Sequence, residues 1–114
     1  MSKRVIIVDD SRAVVATAQL ALEEITNSGV ITLASYLNPL DLLGALQSGN
    51  ENFDLLISDV NMPQLNGLEL VGAIKQDERY KTKPIIVLST ESSDEMKQRG
   101  KEIGITGWMV KPFS

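Results

Sequence analysis

The side chains that could do chemistry in this 114-residue chain each sit directly after a short apolar run. Asp9 and Asp10 follow Val5, Ile6, Ile7 and Val8. Asp59 follows Leu55, Leu56, Ile57 and Ser58. Ser89 and Thr90 follow Ile85, Ile86, Val87 and Leu88, and Lys111 follows Trp108, Met109 and Val110. The chain contains neither Cys nor His. Disulfide frameworks, zinc–thiolate sites and thiol nucleophiles are therefore excluded, as are Ser–His and Cys–His pairs and the imidazole metal ligand. Carboxylates, hydroxyls, amides and lysines must carry any chemistry.

If the apolar runs are parallel strands of one sheet, these groups share the rim formed by the strands' carboxyl ends, where function collects in such folds. Three carboxylates on one rim need a counter-charge. Two unit charges about 4 Å apart repel by ~4 kcal/mol at an effective dielectric near 20. Such a cluster needs a cation or strongly raised pKa values. With oxygen donors only, a hard ion is favoured, and Mg²⁺ is the natural choice. Taken separately, the same residues have a plainer reading. Asp9 or Asp10 could cap the helix that follows, and Asp59 could be an ordinary loop acid. The convergence of all three with Lys111 favours the functional one.

The elements that would position them alternate along the chain. Residues 5–8 form a β-branched run that reads as a buried strand. Over residues 11–27, Val14, Ala18, Ala21, Leu22 and Ile25 fall on one helical face, and Gly29 fits the stop. Residues 30–36 read as a second strand. Asn38 and Pro39 are an N-cap and a first-turn proline, Leu42, Leu43 and Leu46 face inward, and Gly49 closes that helix. Residues 54–58 are the third strand, followed by a loop over residues 61–67 in which Met62 and Pro63 shape the path. Gly67 is expected there to supply a backbone conformation forbidden to a side chain. Residues 68–77 form a helix with Val71 and Ile74 inward, and residues 84–88 a fourth strand. Ser92 and Glu95 have capping-box spacing for a helix carrying Met96, Gly100 and Ile103 on one face and ending at Gly104. Residues 108–110 are the fifth strand.

Strands apolar on both faces, joined by helical crossovers, predict a doubly wound α/β fold with a five-stranded parallel sheet. One domain spans residues 1–114, with its last strand lacking the covering helix expected after it. The sequence thus reads as cut short at Ser114, leaving an apolar flank through which an otherwise monomeric protein could self-associate. Lys plus Arg number 11 against 15 Asp plus Glu, a net charge of −4. That balance lacks the electrostatic footprint of a nucleic-acid binder. No run approaches the ~20 apolar residues needed to span a bilayer, and the start of the chain is too short of apolar residues for a signal peptide. A cytoplasmic location with no membrane contact is expected.

Residues 5–10, 54–67 and 107–113 closely resemble the receiver domain of bacterial response regulators. The shared pattern is Asp-Asp after strand one, Asp-x-x-Met-Pro-x-x-x-Gly after strand three, Ser-Thr-Glu after strand four and Lys-Pro-Phe after strand five. The resemblance spans the chain up to the absent final helix and is nearest to stand-alone chemotaxis receivers of the CheY type. It implies the flavodoxin-like strand order 2-1-3-4-5.

It also implies roles. Asp59 matches the residue that accepts a phosphoryl group from a histidine kinase's phosphohistidine. Asp10 and Asp59 match direct Mg²⁺ ligands, with the backbone carbonyl of Asn61 as a third, and Asp9 matches the acid holding a metal-bound water. Lys111 would pair with a phosphoryl oxygen, aimed by a cis peptide to Pro112. Ser89 matches the switch hydroxyl, with Thr90 one residue away as the alternative register. Trp108 stands where the family has its switch aromatic, although a partly buried core aromatic is the simpler account of it. Asn61 and Glu91 match positions flanking the path of attacking water, or are solvated loop residues. The output would be a change in a partner-binding face near Lys97, Lys101 and Glu102, with a flagellar motor switch protein as the implied target; an ordinary solvated helix side is the plainer reading.

Other readings compete. The chain could be the receiver module of a larger regulator or a phosphorelay shuttle. Outside the family, a Mg²⁺-dependent phosphatase with an aspartate nucleophile is conceivable, but one large class of these places Asp-x-Asp after the first strand. A flavodoxin-like cofactor carrier would need a Ser/Thr/Gly-rich phosphate loop where Asp9 and Asp10 stand.

Overall fold

The computed structural model describes residues 3–90 and 93–111. Five strands lie in one parallel sheet: β1 (Lys3–Val8), β2 (Ile31–Tyr36), β3 (Leu55–Asp59), β4 (Ile85–Ser89) and β5 (Gly107–Val110). Their order is β2-β1-β3-β4-β5, with parallel pairing throughout. The expected doubly wound fold is therefore the observed one. Each strand runs within two residues of its predicted span, and Asp59 and Ser89 prove to be the last residues of β3 and β4.

The helices are α1 (Arg12–Ala21), α2 (Glu23–Asn27), α3 (Pro39–Ser48), α4 (Gly67–Lys75) and α5 (Asp94–Ile103). Side chains start them: Asn38 as expected, Ser11 in place of Asp9 or Asp10, and Asn66, which the sequence did not single out as a cap. Ser11 accepts from the Val14 amide, Asn38 from Leu40 and Asn66 from Leu68. Left-handed Gly49 and Gly104, with φ of 84° and 99°, terminate α3 and α5. The cap of α5 differs from expectation. Ser93, not Ser92, accepts from the Met96 amide, and Ser92 lies outside the described residues.

The two faces of the sheet are covered unequally. One carries the larger core, in which Ile6, Val8, Leu56, Val60, Ile85 and Val87 meet Leu42 and Leu46 of α3 and Leu70, Val71 and Ile74 of α4. Phe53 and Tyr80 close its end, stacked at 5.1 Å. On the other face Ile7 and Leu88 bury only Val15 and Ala18 of α1.

The largest departure from the sequence reading lies on this thinner face. The helix expected over residues 11–27 breaks at Leu22, whose φ and ψ of −102° and 5° leave the helical region. Val15, rather than Val14, turns fully inward, while Ala21 is exposed and Ile25 is 44% exposed. Most helical stability comes from packing an apolar face. Beyond Ala18 that face looks into an open apolar cleft lined by Ile7, Ala21, Leu22, Ile57, Leu88 and Met109. Nothing among the described residues packs there to hold a straight helix. No helix is long and apolar enough to cross a membrane among the described residues.

Candidate functional site

β1 ends by delivering Asp9, which is fully buried, and Asp10, which is exposed. The Asp9 Oδ1 accepts from the Ser11 amide at 2.9 Å, which turns the chain into α1. Asp9 thus braces the turn into α1 while its other oxygen faces the rim, but the helix is capped by Ser11 and not by either aspartate. On the adjacent strand, Asp59 closes β3 with only 4% of its surface exposed. Its Oδ1 accepts from its neighbour's amide, Val60, at 2.9 Å.

Lys111, directly after β5, joins these two acids. Its Nζ donates to Asp59 Oδ1 at 2.9 Å and lies 2.8 Å from Asp9 Oδ2. The second contact is a close, buried ion pair. Carboxylate oxygens of Asp9, Asp10 and Asp59 lie within 4.8 Å of one another. The sequence-predicted convergence of three acids and one lysine is thus present.

Burial pushes the Asp59 carboxyl above its ordinary range; the Lys111 hydrogen bond offsets part of this, and the Asp9 charge adds to it. For Lys111, burial works to lower the ammonium's pKa, but the hydrogen bonds and charges of Asp9 and Asp59 outweigh it and the net shift is upward. Burial dominates the first shift and the two neighbouring acids the second. With all three acids ionised, three carboxylates and one ammonium leave the cluster two charges negative. The all-oxygen donor set fits a hard divalent cation, and the three acids, with oxygens this close, could hold one.

The remaining predicted residues fall as follows. Ser89 is fully buried and Thr90 is exposed. In the β3–β4 register Asp59 is level with Leu88, so Ser89 stands one residue further toward the rim. The Ser89 carbonyl accepts from the Lys111 amide at 2.9 Å, tying β4 to the residue that carries the ammonium. Trp108, level with Val87, is half-buried against the larger core. Asn61 is exposed, and so are Lys97, Lys101 and Glu102. Glu91 and Pro112, with the peptide bond predicted to be cis, lie outside the described residues.

Two residues prove to matter more than the sequence indicated. Ser58 is fully buried and its hydroxyl donates to the Asp59 carbonyl at 3.0 Å. Its only signal was polarity inside an otherwise apolar run. Gly67 corrects an expectation. The left-handed glycines among the described residues are Gly29, Gly49 and Gly104, not Gly67. It is required for space, because a Cβ there would fall 1.9 Å from the Asp59 carbonyl oxygen.

Comparison with known proteins agrees with this geometry. The family model for the response regulator receiver domain matches residues 5–114. A chemotaxis protein CheY homolog of Campylobacter jejuni is 31% identical over 111 residues, covering 97% of this chain and 82% of that protein. A two-component response regulator of Oryza sativa, ORR1, is 34% identical over 96% of this chain but only 49% of its own length. Among solved structures, chemotaxis protein CheY4 of Vibrio cholerae superposes with a TM-score of 0.83 at 37% identity, covering all of this chain and 90% of that one. Strand order, acid cluster and matched sequence agree: the chain belongs to the response regulator receiver domain family, the phosphoacceptor modules of two-component signalling.

Proposed function

We propose that Asp59 is the phosphoacceptor and that its modification switches a partner-binding face, in a chemotaxis pathway acting in the cytoplasm. The observation that carries this reading is the double contact of Lys111, 2.9 Å from Asp59 and 2.8 Å from Asp9. It leaves a buried carboxylate at a strand end with a cation beside it and two further acids within reach.

A carboxylate oxygen of Asp59 attacks phosphorus, the bond from phosphorus to the donor's imidazole nitrogen breaks, and a mixed acyl phosphate forms that water can later cleave. Lys111 holds one oxygen of the incoming group as a mobile point charge. Asp10, Asp59 and the Asn61 carbonyl would hold Mg²⁺, with Asp9 orienting a bound water. The ion supplies neutralisation of charge on the transferred oxygens. The chain's own residues do the rest: burial excludes bulk water from Asp59, and Ser89 offers a hydroxyl to the arriving group.

Output follows as a population shift. The Lys111 amide is bonded to Ser89 and Trp108 lies on the same strand, so a change at the rim is felt along β5. The face beside it, with Lys97 and Lys101 of α5 and a cleft of about 140 Å³ reaching Trp108, is where a flagellar motor switch protein or similar target would dock. A histidine kinase is the natural donor. The relative from Oryza sativa, of which this chain spans about half, favours a second reading as the receiver module of a longer regulator or a phosphorelay shuttle.

Incubation with acetyl phosphate and Mg²⁺, followed by mass spectrometry, tests the assignment. One phosphoryl group on Asp59, absent from Asp59→Asn, is expected. Undiminished labelling of that variant removes Asp59 from the role, and rapid turnover of assorted phosphoesters favours the phosphatase instead.

A further inference from the structure

The backbone of Gly67, the first residue of α4, lies against the peptide of Asp59 itself. A Cβ built there meets the Asp59 carbonyl oxygen at 1.9 Å, its carbonyl carbon at 2.8 Å and the Val60 Cα at 2.8 Å. All are backbone atoms, which cannot swing aside as a side-chain tip could. The Gly67 amide also donates to the Val60 carbonyl at 2.8 Å, while the Val60 amide donates to Leu88 of β4 at 3.2 Å. The Asp59–Val60 linkage is therefore held on one side by the sheet and on the other by the start of a helix. The loop between them leaves and returns at one point.

We infer that Gly67 is a positioning residue for the cation site: its missing side chain lets α4 press the Asp59 carboxylate into place opposite Asp9 and Asp10. The inference rests on the acid cluster being a divalent-cation site. A side chain at 67 must be accommodated by opening the contact by about 1 Å, since real Cβ contacts essentially never fall below 3.0 Å. That opening falls on a weakly held point. Ser58 is the last β3 residue paired to β1, and Asp59 is paired only to β4. The displacement passes into Asp59 and into the loop carrying Asn61, the groups whose spacing sets cation affinity. Gly72, on the same helix, has nothing within 4 Å of its notional Cβ, so the constraint belongs to position 67 and not to α4 as a whole.

The test is Mg²⁺ titration of the unphosphorylated protein, read by the fluorescence of Trp108, the single tryptophan, and checked by calorimetry. Variants are Gly67→Ala, Gly72→Ala and Glu51→Gln, the last a structural control whose partners are Arg4, Tyr36 and the Asn52 amide. Folded Gly67→Ala is expected to need roughly tenfold or more Mg²⁺ for half-saturation, the range for losing support around a metal ligand. Gly72→Ala and Glu51→Gln should titrate as the unaltered chain does, even where their melting temperatures differ. A folded Gly67→Ala with unchanged Mg²⁺ affinity overturns the inference. If Gly67→Ala does not fold, Asn66→Ala decides, because it loosens the same closure by removing the α4 cap. Weakened Mg²⁺ binding supports the inference and unchanged binding overturns it. Should the unaltered chain bind no Mg²⁺, or Asp10→Asn bind it equally well, the cation reading itself fails, a result distinct from failure at Gly67 alone.

Discussion

Replacing Glu51 by Gln removes one charge and almost no volume, at a point where the structure allows the consequence to be worked out. The segment entering β3 places Glu51 against β1 and β2. Its Oε1 accepts from Arg4 Nε at 2.6 Å and its Oε2 from Arg4 Nη2 at 2.9 Å. Tyr36 donates its hydroxyl to Oε2 at 2.7 Å, and the Asn52 amide completes the set at 3.0 Å. The Arg4 pair, opposed by burial and assisted by Tyr36 and Asn52, lowers the carboxyl from 4.5 to about 2.

A depressed carboxylate pKa stabilises the fold above the unfolded pKa and ceases to do so as pH falls through the folded one. The full shift corresponds to roughly 3 kcal/mol at 1.36 kcal/mol per pKa unit. Only 9% of the Glu51 side chain is exposed, but 37% of Arg4 is. Solvent screening of that partner reduces the expected loss to about 1–2 kcal/mol. At pH 7 Glu51→Gln should therefore melt about 5–10 °C below the unaltered chain. The gap should shrink to less than about half at pH 3, where the unfolded chain's carboxyl is protonated while the native one remains largely ionised. Thermal unfolding by circular dichroism at pH 7, 5 and 3 measures it, and the difference between the proteins cancels what the other acids contribute. Equal melting temperatures at pH 7, or a gap as wide at pH 3 as at pH 7, would refute the charge-based reasoning and leave Glu51 a spacer.

Other consequences can be measured directly. Lys111→Met leaves buried Asp9 and Asp59 facing each other, so in chelator the variant should lose about 3 kcal/mol or more of stability; Mg²⁺ should raise its melting temperature by more than it raises that of the unaltered chain, and equal shifts would remove the lysine as internal counter-charge. Gly72→Ala, with open space at its Cβ, should stabilise α4 by about 0.5–1 kcal/mol in urea unfolding; a loss would show that space is not what the glycine leaves free. Asn66→Ala removes the acceptor of the Leu68 amide, bonded at 2.8 Å, and should cost about 1 kcal/mol.

Sequence showed most of the architecture because its signals are local and repeated. Apolar runs such as residues 5–8 stop at polar residues, and caps such as Asn38 with Pro39 act within one turn. Local signals failed where a distant element decides. The period over residues 11–27 is helical to its end, yet the helix breaks at Leu22, where its apolar face opens on the cleft between α1 and the sheet. Ser92 and Ser93 are equivalent in composition, and only backbone geometry selects the second as the cap. Gly67 was legible as special but for the wrong reason, since conformation is a property of one residue whereas the clash with Asp59 arises between segments folded together. The acid cluster was legible for the opposite reason: parallel strands all deliver their carboxyl ends to one rim, so order along the chain predicts proximity without any contact being known.

The charge balance at that rim connects the proposed modification to β5. Lys111 neutralises Asp9 and Asp59 together, and the cluster stands at two negative charges in a poorly solvated place. On the proposed function, phosphorylation replaces the single charge of Asp59 by a group carrying nearly two. An ammonium shared between two acids then has a stronger anion on one side only, which draws it from Asp9 toward Asp59. Motion of the side chain toward the phosphoryl group draws on the backbone of Lys111, whose amide is bonded to the Ser89 carbonyl. Trp108 lies three residues back along the same strand. On that reading the rim reaches β5 through two links, the Lys111 ion pairs and the Lys111 amide bond to Ser89.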